Sequence, residues 1–201
     1  AGSTNRRIDV GVNSAGALIG NGGEPGLGDQ IVFTRLQDVG GPAPSGHYRG
    51  LRFGANIIST ATMLRNVVLE FGGRHNADTN RGAVEVLGGS APDVQRSIIR
   101  ESLNYGLFAR SGAGSDTTDW FADNQLTANA RSPSRIGSND VSTLGKNLDL
   151  AGNGEDRVSV RGSTVAREHA AWANYGVPFH LSRGILVRGG STLTVAPGTE
   201  M

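Results

Sequence analysis

The sequence predicts an all-β chain whose strands run parallel and stack as a β-helix, or β-solenoid. Three observations lead there. Glycine is abundant, with 31 in 201 residues, while aromatic residues make up 5% and charged residues 18%. That composition suits many short strands joined by tight turns and suits a helical bundle poorly. Short apolar-alternating pieces, separated by Gly, Asn, Asp, Ser and Pro, fill most of the chain. These pieces also recur in kind, at intervals of the length expected for stacked supersecondary units.

In chain order the candidate strands are Arg7–Val12, Ala17–Ile19, Gln30–Phe33, Gly50–Phe53, Asn66–Phe71, Ala83–Leu87, Ser97–Ile99, Gly106–Ala109, Trp120–Leu126, Leu148–Leu150, Arg157–Val160, Gly184–Val187 and Ser191–Val195. Thr164–Trp172 (TVAREHAAW), bracketed by Gly162 and Gly176, is the one helix-compatible stretch.

One frame is shared by Leu64-Arg-Asn66-Val-Val-Leu69, Val94-Gln-Arg96-Ser-Ile-Ile99, Phe121-Ala-Asp123-Asn-Gln-Leu126 and Lys146-Asn147-Leu-Asp-Leu150. In each, a polar residue stands three before the last apolar one, and the frame returns roughly every 24–30 residues. A second ladder runs between its members: Ala83–Val86, Tyr105–Phe108, Ser134–Gly137 and Arg157–Val160. Two interleaved ladders with one period are what a coil with several strand faces produces. Each coil climbs ~4.8 Å, so equivalent strands pair in parallel and inward side chains stack. The uneven intervals imply outward loops of varying length. A β-sandwich would instead show hairpin turns joining neighbouring strands.

Length favours one elongated unit over residues 1–201, long enough to bury a core without disulfides. A net charge of +1 does not advertise a nucleic-acid or anionic-membrane partner. The basic residues are almost all arginine, Lys146 being the one lysine. The absence of cysteine excludes thiol catalysis, disulfides and thiolate metal sites together, and fits the cell surface. No apolar run approaches the ~20 residues of a membrane helix. No leader-like segment opens the sequence, so an exported protein is expected here in mature form or as a fragment.

Several segments together resemble modules of bacterial surface right-handed parallel β-helix repeat proteins, within the pectate-lyase-like superfamily. They are Phe33-Thr-Arg-Leu-Gln-Asp38 with its Gly/Pro-rich loop, Tyr48-Arg-Gly-Leu-Arg-Phe53, Leu64–Gly73 and Ala83–Arg110. The stretch Trp172–Phe179 followed by Ile185–Thr199 is similar to that family's coil ending in Pro-Gly-Thr. In such proteins that coil leads into a strand, a Gly-Ala-Leu strand and a Phe-Thr segment. Here Ala196-Pro-Gly-Thr-Glu-Met201 stands last, whereas Arg7-Ile-Asp-Val-Gly11, Gly16-Ala-Leu-Ile-Gly20 and Ile31-Val-Phe-Thr34 stand first. The resemblance implies a right-handed coil and one repeat of a longer array, its terminal coils open for more of the same. For function it implies either a surface and adhesion-like protein or a polysaccharide-degrading relative, since fold is shared more widely than activity.

Polysaccharide cleavage needs two carboxylates about 5–9.5 Å apart. The densest acidic stretch is Asp116-Thr-Thr-Asp119-Trp120-Phe-Ala-Asp123, where an indole could stack on a sugar. The plainer reading is a solvated loop entering a strand, with Trp120 at a coil corner. The adjacent-Asp and Gly-His-Gly motifs of polygalacturonase-like β-helices are absent, as is an Asp-His pair of the pectate-lyase kind. His47, His75, His169 and His180 are scattered, and Glu168-His169 are neighbours whose side chains point apart on a strand. No cofactor is expected. Calcium is the one ion whose ligands the oxygen-rich loops Asn139-Asp140 and Asn153-Gly-Glu155-Asp156 offer, but without recognised spacing they read as turn chemistry. Ice binding would want repeated Thr-x-Thr, and Thr192-Leu-Thr194 stands alone.

The expectation for function is therefore a non-enzymatic, extracellular or cell-surface solenoid, a subunit or repeat of a filament or adhesin. It extends head-to-tail with copies of itself, through Ile8 and Val10 at one pole and Leu193, Val195 and Pro197 at the other. The alternative is a module that binds or cleaves a surface glycan through Asp116, Asp119, Trp120 and Asp123.

Overall fold

The computed structural model describes residues 7–23, 30–34, 49–73, 81–114 and 119–201. The chain runs in rungs. The first holds β1 (Ile8–Val10), β2 (Ile19–Asn21) and β3 (Ile31–Phe33), and the second β4 (Leu51–Phe53), β5 (Met63–Arg65) and β6 (Val67–Glu70). The third holds β7 (Gly82–Val86), β8 (Asp93–Gln95) and β9 (Ile98–Arg100), and the fourth β10 (Tyr105–Ala109), β11 (Phe121–Ala122) and β12 (Gln125–Thr127). The fifth has β13 (Ser134–Gly137) and a 3₁₀ turn over Val141–Thr143. The sixth has β14 (Val158–Arg161), β15 (Thr164–Val165) and β16 (His169–Trp172), and the seventh β17 (Phe179–Leu181), β18 (Leu186–Val187) and β19 (Thr192–Val195).

Successive strands go to different sheets, and each sheet collects its members in rung order. One seven-stranded sheet runs β1-β4-β7-β10-β13-β14-β17, and two four-stranded sheets run β2-β5-β8-β11 and β3-β6-β9-β12. The pairs β15-β18 and β16-β19 form two further two-stranded sheets in the last rungs. Among the described residues every ladder is parallel. This is an all-β chain of stacked parallel sheets, compatible with a β-solenoid. The loops shorten along it: cross-rung partners are 44 residues apart at Val12 and Asn56, 30 at Glu70 and Arg100, and 22 at Val160 and Ser182.

The corners follow from the first sequence frame. Its polar residues Asn66, Arg96, Asp123 and Asn147 all have positive φ, between 49° and 56°. Phe71, Glu101, Ala128 and Gly152, each five residues further on, form a second positive-φ column. Left-handed geometry costs a non-glycine residue about 1 kcal/mol or more, least for Asn and Asp. Inter-rung hydrogen bonds hold it in place: Asn66 N–H donates to Gln95 O, Arg96 N–H to Ala122 O, Asp123 N–H to Lys146 O and Ala128 N–H to Gly152 O.

Polar side chains one residue beyond these corners seal the interior. Ser97 N–H donates to Asn124 Oδ1 at 2.9 Å, and Asn124 Nδ2 donates to Val94 O at 2.9 Å. One corner along, Ser102 N–H donates to Asn129 Oδ1 and Asn129 Nδ2 to Ile99 O. Asn153 repeats the motif on the next rung, accepting from Asn129 N–H and donating to Leu126 O. Asn124 and Asn129 are buried, so these amides satisfy backbone groups that no water reaches. Between the corners, Leu64, Val94 and Phe121 stack in register, as do Leu69, Ile99 and Leu126, and Leu51, Val84 and Leu107. They belong to one apolar cluster enclosed by the sheets. Close stacking also dictates Gly50, where φ is +88° and a Cβ would overlap the Ala83 carbonyl.

Four sequence expectations need correction. Thr164–Trp172 is not helical: it forms β15 and β16, and Ala170 and Trp172 point into the core in strict alternation. A nine-residue helix is marginal alone, whereas a strand here gains both a ladder and a buried indole. Leu148–Leu150 forms no strand and contributes a single bridge, Gln125 to Asp149. Trp120–Leu126 is two strands, split at the Asp123 corner. The second ladder slides by a residue or two: Val84 meets Leu107, Leu107 meets Ser134 and Ser134 meets Val158. Strands over Met63–Arg65, Asp93–Gln95 and Phe179–Leu181 were not among those expected.

Replacing Asn124 by Ala leaves the Ser97 N–H buried without its partner and takes one donor from the Val94 C=O. Urea unfolding is expected to show a loss of about 1–3 kcal/mol; a loss below about 0.5 kcal/mol would show that solvent reaches the Ser97 N–H.

Candidate functional site

The two terminal rungs differ from every rung between them. Inward positions that are fully covered in the middle of the stack are bare at its ends. Ile8 is 42% exposed whereas its register partner Leu51 is 0% exposed, and Ile31 is 37% exposed whereas its register partner Val67 is 1% exposed. At the other end Leu181 and Val187 are exposed although their partners Val160 and Val165 are buried, while Ile19, Val32 and Leu186 are exposed on outward positions of the terminal strands. Of the large apolar side chains exposed among the described residues, only Ile58 and Met201 lie outside the terminal strands.

Of the pole residues singled out from sequence, Ile8 and Val10 lie on β1 and Leu193 and Val195 on β19. Val10 is buried, Leu193 and Val195 half-buried, and Pro197 exposed beyond the strand. Sequence reasoning missed Ile31, Leu181 and Val187, because strands of two or three residues do not announce which rung is last. The last rung already begins a further one: Phe179 N–H donates to Glu200 O just as Val158 N–H donates to Pro178 O.

The acidic segment does not assemble as a carboxylate pair. Asp116 lies outside the described residues. Asp119 and Asp123 flank β11, both with positive φ. Asp123 Oδ1 accepts from Asn147 Nδ2 at 2.8 Å, which occupies it in a corner contact. Trp120 is 1% exposed, packed against Phe121 with its Nε1 donating to Thr143 Oγ1. Its ring face is therefore part of the core. Asp119 does reach a cavity of about 580 Å³ on the outer face of the β2-β5-β8-β11 sheet, lined also by Ile19, Arg65, Asp93 and Gln95. There Arg65 pairs with Asp93, so the second carboxylate in that groove is neutralised.

Beneath this region sits Asp140, fully buried, whose Oδ2 accepts the Gly112 N–H at 2.9 Å. Burial pushes its carboxyl up to about 6, against the opposing pull of that N–H, Arg167 and Asn139.

The oxygen-rich loops are internally engaged. Asp156 accepts from the N–H groups of Gly152 and Asn153, and Glu155 accepts from Ser132 and Arg157. Burial pushes the Glu155 carboxyl up, but the Ser132 hydroxyl and the Arg157 and Arg131 charges outweigh it and hold it below its usual value. Among the described residues no three His, Asp or Glu side chains gather as metal ligands. His47 and His75 lie outside those residues. Glu168 and His169 do meet, at 3.6 Å, contrary to the expectation that they point apart, because Glu168 precedes β16; both are exposed. No helix among the described residues is long and apolar enough to cross a membrane.

One outer-face feature has no counterpart in the sequence reading. Glu85, 2% exposed, is shared by four arginines: Arg81 at 3.2 Å, Arg110 at 3.3 Å, Arg52 at 3.6 Å and Arg7 at 3.9 Å. They arrive from four different rungs or their flanks, so only the register brings them together.

Comparison with protein-family models, with curated proteins and with solved structures finds no match for this chain.

The buried Asp140 generates a pH dependence. Its folded pKa lies above the unfolded value of 3.8, so between about pH 4 and pH 6 the folded chain holds the extra proton and stability falls as pH rises. Above that window the buried charge costs up to about 3 kcal/mol. Asp140→Asn keeps an acceptor for Gly112 and loses the proton. Urea titrations at about pH 4 and pH 7 should show wild type losing stability relative to the variant; parallel curves would mean that Asp140 does not titrate in this range.

Proposed function

We propose that the chain is a right-handed parallel β-helix of the pectate-lyase-like superfamily, acting as a structural unit of a bacterial surface filament or adhesin that extends by head-to-tail stacking of its terminal rungs. One observation supports this above the others: exposed large apolar side chains concentrate on the first and last rungs, and Ile8, Ile31, Leu181 and Val187 among them stand in inward columns whose register partners are buried. Right-handedness follows from the strong bias of strand-crossover-strand connections within one sheet.

Continuing the register, with Glu200 released from the Phe179 N–H, places the β17 residues Phe179 and Leu181 against Ile8 and Val10 of a following copy. Such a junction covers Ile8, Ile31, Leu181 and Val187, each gaining on the order of 1–2 kcal/mol on burial, and it pairs strand edges that would otherwise template promiscuous association. The contact is heterologous and does not close, so it propagates as a fibre. A covalent repeat uses the same surfaces. The mechanism is mechanical: continuous ladders and a continuous apolar stack make a stiff rod, and no catalytic group is required.

Electron microscopy of the purified chain over a range of concentrations, with light-scattering mass, tests this directly. Unbranched fibres are expected, with an axial repeat of about 34 Å for seven rungs. Ile8→Lys or Val187→Lys, at inward side chains 42% and 41% exposed, should yield folded monomers. Monomers of the unmodified chain at every concentration would overturn non-covalent stacking.

A further inference from the structure

The outward column of the seven-stranded sheet changes character along its length. It runs Asp9, Arg52, Glu85, Phe108, Arg135, Ser159 and His180 in register. Glu85 neutralises its own neighbours, but past Glu85 the column contains no carboxylate. Phe108 is fully buried although it faces outward. Arginines cover it: the guanidinium carbons of Arg110 and Arg161 lie 6.0 and 5.9 Å from the ring centre. Arg135 is its ladder partner and also donates to the Tyr105 hydroxyl at 3.1 Å.

These cations crowd one another. Burial, and then the charges of Arg135, Arg110 and Arg183, push the Arg161 guanidinium below its ordinary value. Among the described residues neither Arg161 nor Arg183 has a carboxylate within ion-pair distance, and the one held by Arg110 is Glu85, already shared by three other arginines. A net charge of +1 for the whole chain makes this local excess a placement rather than a bulk property.

We propose that this outer face, around Arg110, Arg135, Arg161 and Arg183, binds an acidic polysaccharide whose anionic groups pair with the guanidinium forks. Guanidinium donors match carboxylate and sulfate oxygens bidentately. Arg110, Arg135 and Arg161 sit on or beside successive strands of one sheet, about 4.8 Å apart per rung. Charges stepped along an axis on an open sheet face match a linear polymer with repeating anionic groups. They do not suit an enclosed small molecule, which needs a concave pocket. Phe108 and Tyr105 are buried beneath the arginines, so the face offers no stacking platform of the kind single-stranded nucleic acids use.

The test compares dextran sulfate with neutral dextran of the same length by isothermal titration calorimetry, with an oligo(dT) of similar charge as a third arm. Dextran sulfate should bind, weakening at least tenfold between roughly 50 and 200 mM salt, while dextran should not. Arg135→Gln with Arg161→Gln should weaken dextran sulfate binding about tenfold or more. Arg96→Gln and Arg188→Gln, on other parts of the surface, should change it less than about twofold. Arg183→Gln, at an exposed side chain, gives a second reading if the double variant does not fold, and should weaken binding severalfold. Equal binding of neutral dextran, tighter binding of oligo(dT), or unchanged affinity in the arginine variants would each overturn the proposal.

Discussion

Everything in this molecule depends on the rungs staying in register. A strand pair that slips by one residue turns its inward side chains outward, and here a slip would do so on several faces at once. Two positive-φ columns mark that register, one through Asn66, Arg96, Asp123 and Asn147, the other through Phe71, Glu101, Ala128 and Gly152. A left-handed residue bends the chain at one place only, so a displaced rung would set its bend against its neighbour's strand. The amides of Asn124, Asn129 and Asn153 add a polar lock. Each reaches back to backbone groups of the adjacent rung, which pair only in the native register.

The apolar part of this order was legible in the sequence. The frames ending at Leu69, Ile99 and Leu126 are true register partners, because inward apolar positions have to recur wherever a column passes. The corners were visible only in part. Asn66, Asp123 and Asn147 are types that tolerate left-handed geometry, whereas Arg96, Phe71 and Ala128 are not, and nothing local in their sequence signals it. Their conformation is imposed by the neighbouring rungs. The second ladder was found in kind but misplaced by one or two positions, since Val84, Leu107, Ser134 and Val158 share a column without sharing a flanking motif.

The candidate sites show the same division. Proximity in sequence gathered Asp116, Asp119, Trp120 and Asp123 into one group, yet β11 separates Asp119 from Asp123 and the core claims Trp120. Groups that are distant in sequence are the ones that meet. Arg7, Arg52, Arg81 and Arg110 converge on Glu85, and Asp93 faces the same groove as Asp119. In a stacked fold a surface constellation is read across rungs, and its spacing in sequence is set by loops of unequal length. No fixed motif can express it.

The stacking proposal and the arginine face are physically connected through those same columns. A head-to-tail junction that continues inward columns also continues outward ones, because both are fixed by one register. A following copy would set its Asp9 beside His180, its Arg52 beyond that, and so repeat the whole outer face once per unit along the rod. Ligand groups tethered on one polymer then meet several such faces at a high effective concentration, and a contact too weak to hold a single unit becomes strong in an array. Breaking the register at one rung therefore reaches beyond stability: it scatters the arginines around Phe108, since they have no other element to hold them together.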